Sequence, residues 1–264
     1  MHRLRKFALL ALLVPCYGAC SMMYLNWSGE VVVDREWATA SHAPAGLAPN
    51  PLTTDEAVVQ VYAARVAEWH GYFGVHSWIA VKRSGAHEYT IYEVTQKQLA
   101  QTRSAVAIHS RFADGHWYGN RPMLMRDLRG TGVDALIERI DAHAKAYPHA
   151  QSYRIWPGPN SNTFVAHIGR MVPELRLDLP ATAVGKDYLG AVPIARTPSG
   201  TGGQVSLFGL LGVAVGIEDG LELNLFGLSF GIDLNDLGLK LPLLGHIGAA
   251  RNAEPTRLPG TAAR

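Results

Sequence analysis

Pro157-Gly158-Pro159-Asn160-Ser161-Asn162-Thr163-Phe164 is the stretch on which the reading of the fold turns. A Gly-Pro turn runs into residues favoured at a helix start. Phe164, Ile168, Met171 and Val172 then continue at helical spacing until Pro173. A side-chain oxygen at a helix start meets unpaired N–H groups and the positive end of the helix dipole. Asn160 and Ser161 can each satisfy that need as a cap. Ser161 can equally use it as a nucleophile, with its own N–H turned toward a developing oxyanion. Both readings are open at this point.

Upstream, Gly74-Val75-His76-Ser77-Trp78-Ile79-Ala80-Val81 offers a histidine on an apolar strand. His76 could serve as the base for Ser161, or sit as a hydrogen-bonded sheet histidine. An orienting group would come from Tyr92 or Glu93 on the next strand. Successive strand residues point to opposite faces, so at most one of these two meets His76. Glu88 and His109 are further candidates, and Asn160 or Asn162 could support an oxyanion. Trp117, Arg121, Trp156, Lys186 and Asp187 are candidates for a substrate cleft; their bland alternatives are core or rim aromatics and salt-bridged charges.

Working outward, Thr53 and Glu56 have capping-box spacing. Val58, Tyr62, Val66 and Trp69 follow at helical intervals, which predicts an amphipathic helix over 54–69. Val75–Val81 and Tyr89–Val94 read as strands around Arg83-Ser84-Gly85, with Ala105–Ile108 as a third. Val133, Leu136, Ile137, Ile140, Ala144 and Tyr147 form a helical stripe stopped by Pro148. From Gly203 glycines punctuate apolar residues, and Asp219-Gly220 marks a hairpin. Phe226, Leu228, Phe230, Ile232 and Leu234 alternate with Gly227, Ser229, Gly231 and Asp233, which is strand periodicity. Such a segment could cover the main sheet with its apolar side. It could instead face a membrane or a partner.

The 264-residue chain has a net charge of +2 and no Lys/Arg cluster interleaved with aromatics beyond its first six residues, which sets nucleic acid aside. His2-Arg3-Leu4-Arg5-Lys6 followed by the uncharged run Phe7 to Leu25 reads as an export signal retained as a membrane anchor. That placement puts the rest of the chain in the periplasm, held to the inner membrane. The alternatives are a lipoprotein attached through Cys20, or simple secretion. Cys16 and Cys20 are the only cysteines, so the body of the chain has no thiol nucleophile and no disulfide. The eleven histidines show no metal-ligand spacing, and neither metal nor cofactor is expected.

The expected organisation is a signal or anchor over 1–29, an Ala/Pro linker over 30–52, an α+β domain over 53–196, a Gly-rich β extension over 197–250 and a disordered tail over 251–264. A strand His, a second strand, a helix and then Asn-Ser-Asn-Thr-Phe at a helix start resembles the circularly permuted papain-like proteins. These include cell-wall peptidases and acyltransferases, several with Asn-Cys-Asn-x-Phe at the nucleophile. The resemblance implies an antiparallel sheet packed on helices, with Ser161 in the cysteine position and His76 as base. Trp117-Tyr118-Gly119-Asn120-Arg121-Pro122, Trp156 to Phe164 and Gly185-Lys186-Asp187-Tyr188 are similar to a bacterial envelope family, domain of unknown function 3750, which brings no activity with it. Two functions follow as expectations. One is an amide or ester hydrolase or acyltransferase on an envelope substrate. The other is an inert binding or scaffold protein that engages an envelope component or a protein partner.

Overall fold

The structure, a computed structural model, describes residues 2–31, 33, 39–233, 235, 237–248 and 253–258, with side chains from residue 12 onward. In chain order the helices are α1 (His2–Trp27), α2 (Gln96–Thr102), α3 (Val133–Lys145) and α4 (Ser161–Met171). A first group of strands is β1 (Val58–Arg65), β2 (Val75–Lys82), β3 (Thr90–Val94), β4 (Val106–Ser110) and β5 (Met123–Arg129). A second group is β6 (Ile194–Arg196), β7 (Gly202–Leu207), β8 (Leu211–Gly216), β9 (Gly220–Leu225), β10 (Leu228–Asp233), β11 (Gly238–Leu241), β12 (Gly245–Ile247) and β13 (Thr256–Arg257).

The fold is mixed α+β with two sheets. The first has the order β13-β5-β1-β2-β3-β4 and is antiparallel except where β13 joins β5. One face carries Val59, Val61, Ile79 and Val81 and packs on the apolar stripes of α3 and α4. Tyr62, Trp78, Ala80 and Ile91 fill the other face. That second face is covered partly by Leu47 and Ala48, whose N–H groups donate to the Asp114 carboxylate. Those two residues lie within 30–52, so the Ala/Pro stretch is packed on the domain there. Thr256–Arg257, within the tail, pairs as β13; the rest of 251–264 apart from 253–258 lies outside the described residues, as does Leu234.

The helix expected over 54–69 is instead β1, followed by the short 3-10 turn Glu68–Tyr72. Every residue of β1 is buried, because β2 and β5 flank it and both faces are covered. A strand buried on both faces reads as a continuous apolar run, and a chance 3.6-residue spacing inside that run mimics a helix. The capping box of Thr53 and Glu56 has no helix to cap; the Thr53 hydroxyl reaches the Asn50 carbonyl instead.

The second sheet runs β12-β11-β10-β9-β8-β7-β6 and is antiparallel throughout. The hairpin expected at Asp219-Gly220 joins β8 to β9. Its burial runs opposite to the bland expectation. Gln204, Ser206, Glu222, Asn224, Ser229 and Lys240 are the buried positions, whereas Val205, Val213, Leu223, Phe230 and Ile232 are exposed. The polar face turns inward because the first domain presents charges to it. Lys186 Nζ bonds the Glu222 carboxylate, and Lys240 Nζ lies 2.9 Å from Glu222 and 2.7 Å from Asp178.

α1 packs its C-terminal half on this body. Leu25 is buried with Val31, Tyr72 and Leu243, and the Tyr17 hydroxyl donates to the Pro242 carbonyl at 2.5 Å. Among the described residues no helix is long and apolar enough to cross a membrane. The first residues of the uncharged run Phe7 to Leu25 have side chains outside that description.

Candidate functional site

The start of α4 is built by Asn160. Its Oδ1 accepts the N–H groups of Asn162 and Thr163 at 3.0 and 3.1 Å, while the Thr163 hydroxyl accepts the Asn160 N–H at 3.1 Å. This reciprocal pair is a capping box, with Asn160 rather than Ser161 as the cap. Asn160 Nδ2 also donates to the carbonyls of Ile155 and Val184. Gly185 closes over the cap with φ +95, and a Cβ on it would fall 2.4 Å from Asn160 Nδ2. Two motifs distant in sequence thus form one structure, since the Thr163 hydroxyl also donates to the Gly185 carbonyl at 2.7 Å.

Ser161 is buried at the first turn of α4. Its hydroxyl makes no hydrogen bond with any described residue. Asn162 is spent on the sheet. Its Nδ2 donates to the Val75 carbonyl at 2.9 Å, and its Oδ1 accepts from the Ser77 hydroxyl at 2.9 Å. Ser77 therefore looks toward α4. His76, one residue away, points to the opposite face of the sheet, where its ring stacks on Trp117 with centroids 3.6 Å apart and planes 7° apart.

On that face Glu93 is the hub. His76 Nε2 lies 2.9 Å from Oε2, His109 Nε2 2.8 Å from Oε1, and Arg111 3.3 Å from Oε2. Burial alone would raise the Glu93 carboxyl, but the hydrogen bonds from His109 and His76 and the charge of Arg111 hold it well below the usual carboxylate range. An ionised carboxylate only accepts, so each histidine presents an N–H to it. Burial pushes His76 below its ordinary value against the pull of Glu93, which keeps the ring neutral. Tyr92, on the other face of β3, donates its hydroxyl to Asp141 at 3.1 Å. Of the two orienting candidates, Glu93 alone reaches His76. His109, one of the further candidates, and Arg111, which the sequence did not single out, complete the cluster; the pairing of β3 with β4 brings them to Glu93.

The five cleft candidates do not share one cleft. Trp117 stacks on His76. Trp156 is half exposed and donates its indole N–H to the Phe226 carbonyl at a turn of the second sheet, at 2.9 Å. Lys186 and Asp187 are buried between domain and sheet. Asp187 accepts from Asn224 and Ser229 at 2.7 and 3.2 Å. Burial opposes the charge of Lys186, but Glu222, Asp187 and Asp178 hold its pKa above the ordinary lysine range. Only Arg121 lines the large cavity, about 710 Å³, which lies between the two sheets. Arg65, Asn120, Asp178 and Lys240 are among its other walls. Burial lifts the Asp178 carboxyl to about 7 despite Lys240. Among the described residues no group of His, Cys, Asp and Glu is placed to hold a metal ion.

A family model described as "Protein of unknown function (DUF3750)" matches residues 56–188, just over half of the chain. That span takes in the first sheet from β1 to β5, α3, α4, both ends of the cap structure and the Glu93 cluster. No curated protein and no solved structure matches the chain.

Proposed function

The chain belongs to the DUF3750 family, and from that premise we propose a membrane-associated envelope protein that binds a ligand or partner without turning it over. One observation carries this reading. His76 is held on the face of the sheet opposite α4, bonded to Glu93 and stacked on Trp117, while Ser161 lies at the start of α4 with its hydroxyl hydrogen-bonded to no base. A serine hydroxyl needs a base within hydrogen-bond reach to attack a carbonyl. The packed antiparallel sheet and the helix-start serine support kinship with the permuted papain-like proteins as scaffold rather than as chemistry. The cavity of about 710 Å³ is of a size that holds small ligands, and its mixed charge suits a polar one. Placement in the envelope rests on the basic residues followed by the uncharged run from Phe7 to Leu25.

A fluorophosphonate probe, which reacts with activated serines, tests the reading directly. We expect no labelling of the full chain, and full complementation of a deletion strain by Ser161→Ala. Labelling that disappears in both Ser161→Ala and His76→Gln would establish the hydrolase or acyltransferase reading in its place.

A further inference from the structure

We propose that the outer face of the second sheet lies on a lipid bilayer. The register of the sheet builds this face row by row. Ile194, Val205, Val213, Leu223 and Phe230 form one row across β6 to β10. Val215, Leu221, Ile232, Leu239 and Ile247 form a second across β8 to β12. All ten are exposed, between 37% and 67%. Among the described residues the one charge facing out with these rows is Arg196, on the edge strand beside Gly203. Seven strands at the usual spacing, the four central ones six residues long and the edges shorter, give a face of roughly 30 Å across and up to about 20 Å deep. A typical monomer keeps its largest apolar patch to about 300–600 Å², often a functional one, and this face lies within the upper part of that range.

A bilayer is the occupant that the surrounding features favour. α1 is fastened beside the turn of β11 and β12, through Tyr17 on Pro242 and Leu25 on Leu243. Beyond that fastening Leu12, Leu13 and Val14 are consecutive and each more than half exposed. Consecutive positions on a helix point 100° apart, so apolar side chains leave this segment in every direction. A second copy laid flat on the sheet covers one plane and leaves such a helix wet. Hydrocarbon surrounds the helix and covers the sheet together. At the tips of the sheet Phe208 and Phe226 project outward, and Trp156 bonds the Phe226 carbonyl, a placement suited to the boundary between headgroups and acyl chains. With no charge in the face's interior among the described residues, binding should not be weakened by salt.

The inference rests on the envelope placement proposed above and extends it to the C-terminal half of the chain. The test uses the full chain in phosphatidylcholine vesicles, with one fluorescent label per variant. Labels go on Val213→Cys and Ile232→Cys in a Cys16→Ser/Cys20→Ser background, on the native Cys20 in Cys16→Ser, and on Glu138→Cys as an exposed control on α3. Circular dichroism verifies folding, and the two sheet positions are independent of one another. We expect the sheet labels to be quenched several-fold more by lipid-borne spin labels than the Glu138 label, protected from iodide, and unaffected by high salt. Sheet labels open to iodide, with Cys20 still quenched by lipid, would overturn the sheet proposal and leave the anchor standing. Shielding from both quenchers that grows with protein concentration would assign the face to a second copy. Lipid quenching at none of these positions would sink the envelope placement as well.

Discussion

The Ser77 hydroxyl and Asn162 Oδ1 lie 2.9 Å apart, so it is Ser77 that meets the start of α4. His76 is thereby directed to the other face of β2 and into the Glu93 cluster. That alternation decides how the helix-start motif is read. The Asn160 and Asn162 side chains are engaged in structural hydrogen bonds, and the Ser161 hydroxyl between them makes none to His76.

The cap makes a first prediction. Asn160→Ala removes the acceptor for two N–H groups and the donor to Ile155 and Val184, and should cost about 2 kcal/mol or more in a urea titration. Ser161→Ala should change stability by under about 0.5 kcal/mol, because it removes no hydrogen bond. Asn160→Asp keeps the acceptor but sets a carboxylate against two carbonyls, so it should rescue only part of the loss. Equal effects of Asn160→Ala and Ser161→Ala would contradict the assignment of the cap.

Two glycines give a matched pair. Gly185→Ala forces a Cβ into the Asn160 side chain at a φ of +95 and should destabilise by about 2 kcal/mol or more. Gly85 also has a positive φ, +69, but its Cβ would meet nothing within 4 Å. Gly85→Ala should cost about 1 kcal/mol, the backbone penalty alone. Thermal melts of the two variants beside the parent chain separate clash from conformation.

Acid should weaken the contributions of the buried histidines and of Glu93 in two stages. Below pH 6.5 the unfolded chain protonates its histidines, while in the fold burial holds His76 below its ordinary value and His167 down to about 4. At these two histidines the unfolded state then binds more protons, so their contribution to stability falls as the pH drops from 6.5 toward 4; Asp178, lifted to about 7, works the other way, because its carboxyl takes up a proton in the fold first. His167 accounts for at most about 3 kcal/mol of that loss. His167→Gln should flatten the profile in this window. Glu93, depressed below its ordinary 4.5, adds a further loss below that pH. Denaturant midpoints measured across the range check both stages, and a profile in His167→Gln as steep as the parent's would remove His167 from the account.

The buried charges between domain and sheet give the largest expected effect. Glu222→Gln leaves Lys186 and Lys240 short of their shared counter-charge and should cost about 3–5 kcal/mol. Pairing it with Lys186→Met removes one of the stranded cations, so the double variant should recover part of that loss. Additive losses in a double-mutant cycle would show that the Lys186–Glu222 contact carries no coupling.

Local chemistry writes several elements plainly into the sequence. The Asn-Ser-Asn-Thr start of α4, the stripe Val133 to Ala144, the strands around His76 and Tyr92, and the Asp219-Gly220 hairpin each depend on neighbours within a few residues. β1 does not. Its apolar run is buried on both faces, and only pairing with β2 and β5 makes it a strand rather than the helix its spacing suggests. The strand around His76 is legible, but not which face the histidine takes: a shift of one residue inverts a strand, and the bonds of Asn162 to Val75 and Ser77 set that phase. In the second sheet, period-two alternation identifies strands and leaves both faces equivalent. The tertiary structure turned the polar side inward, because Lys186, Asp187 and Asp178 wait there for Glu222, Asn224 and Lys240, and a buried charge without its partner costs more than an apolar side chain left outside.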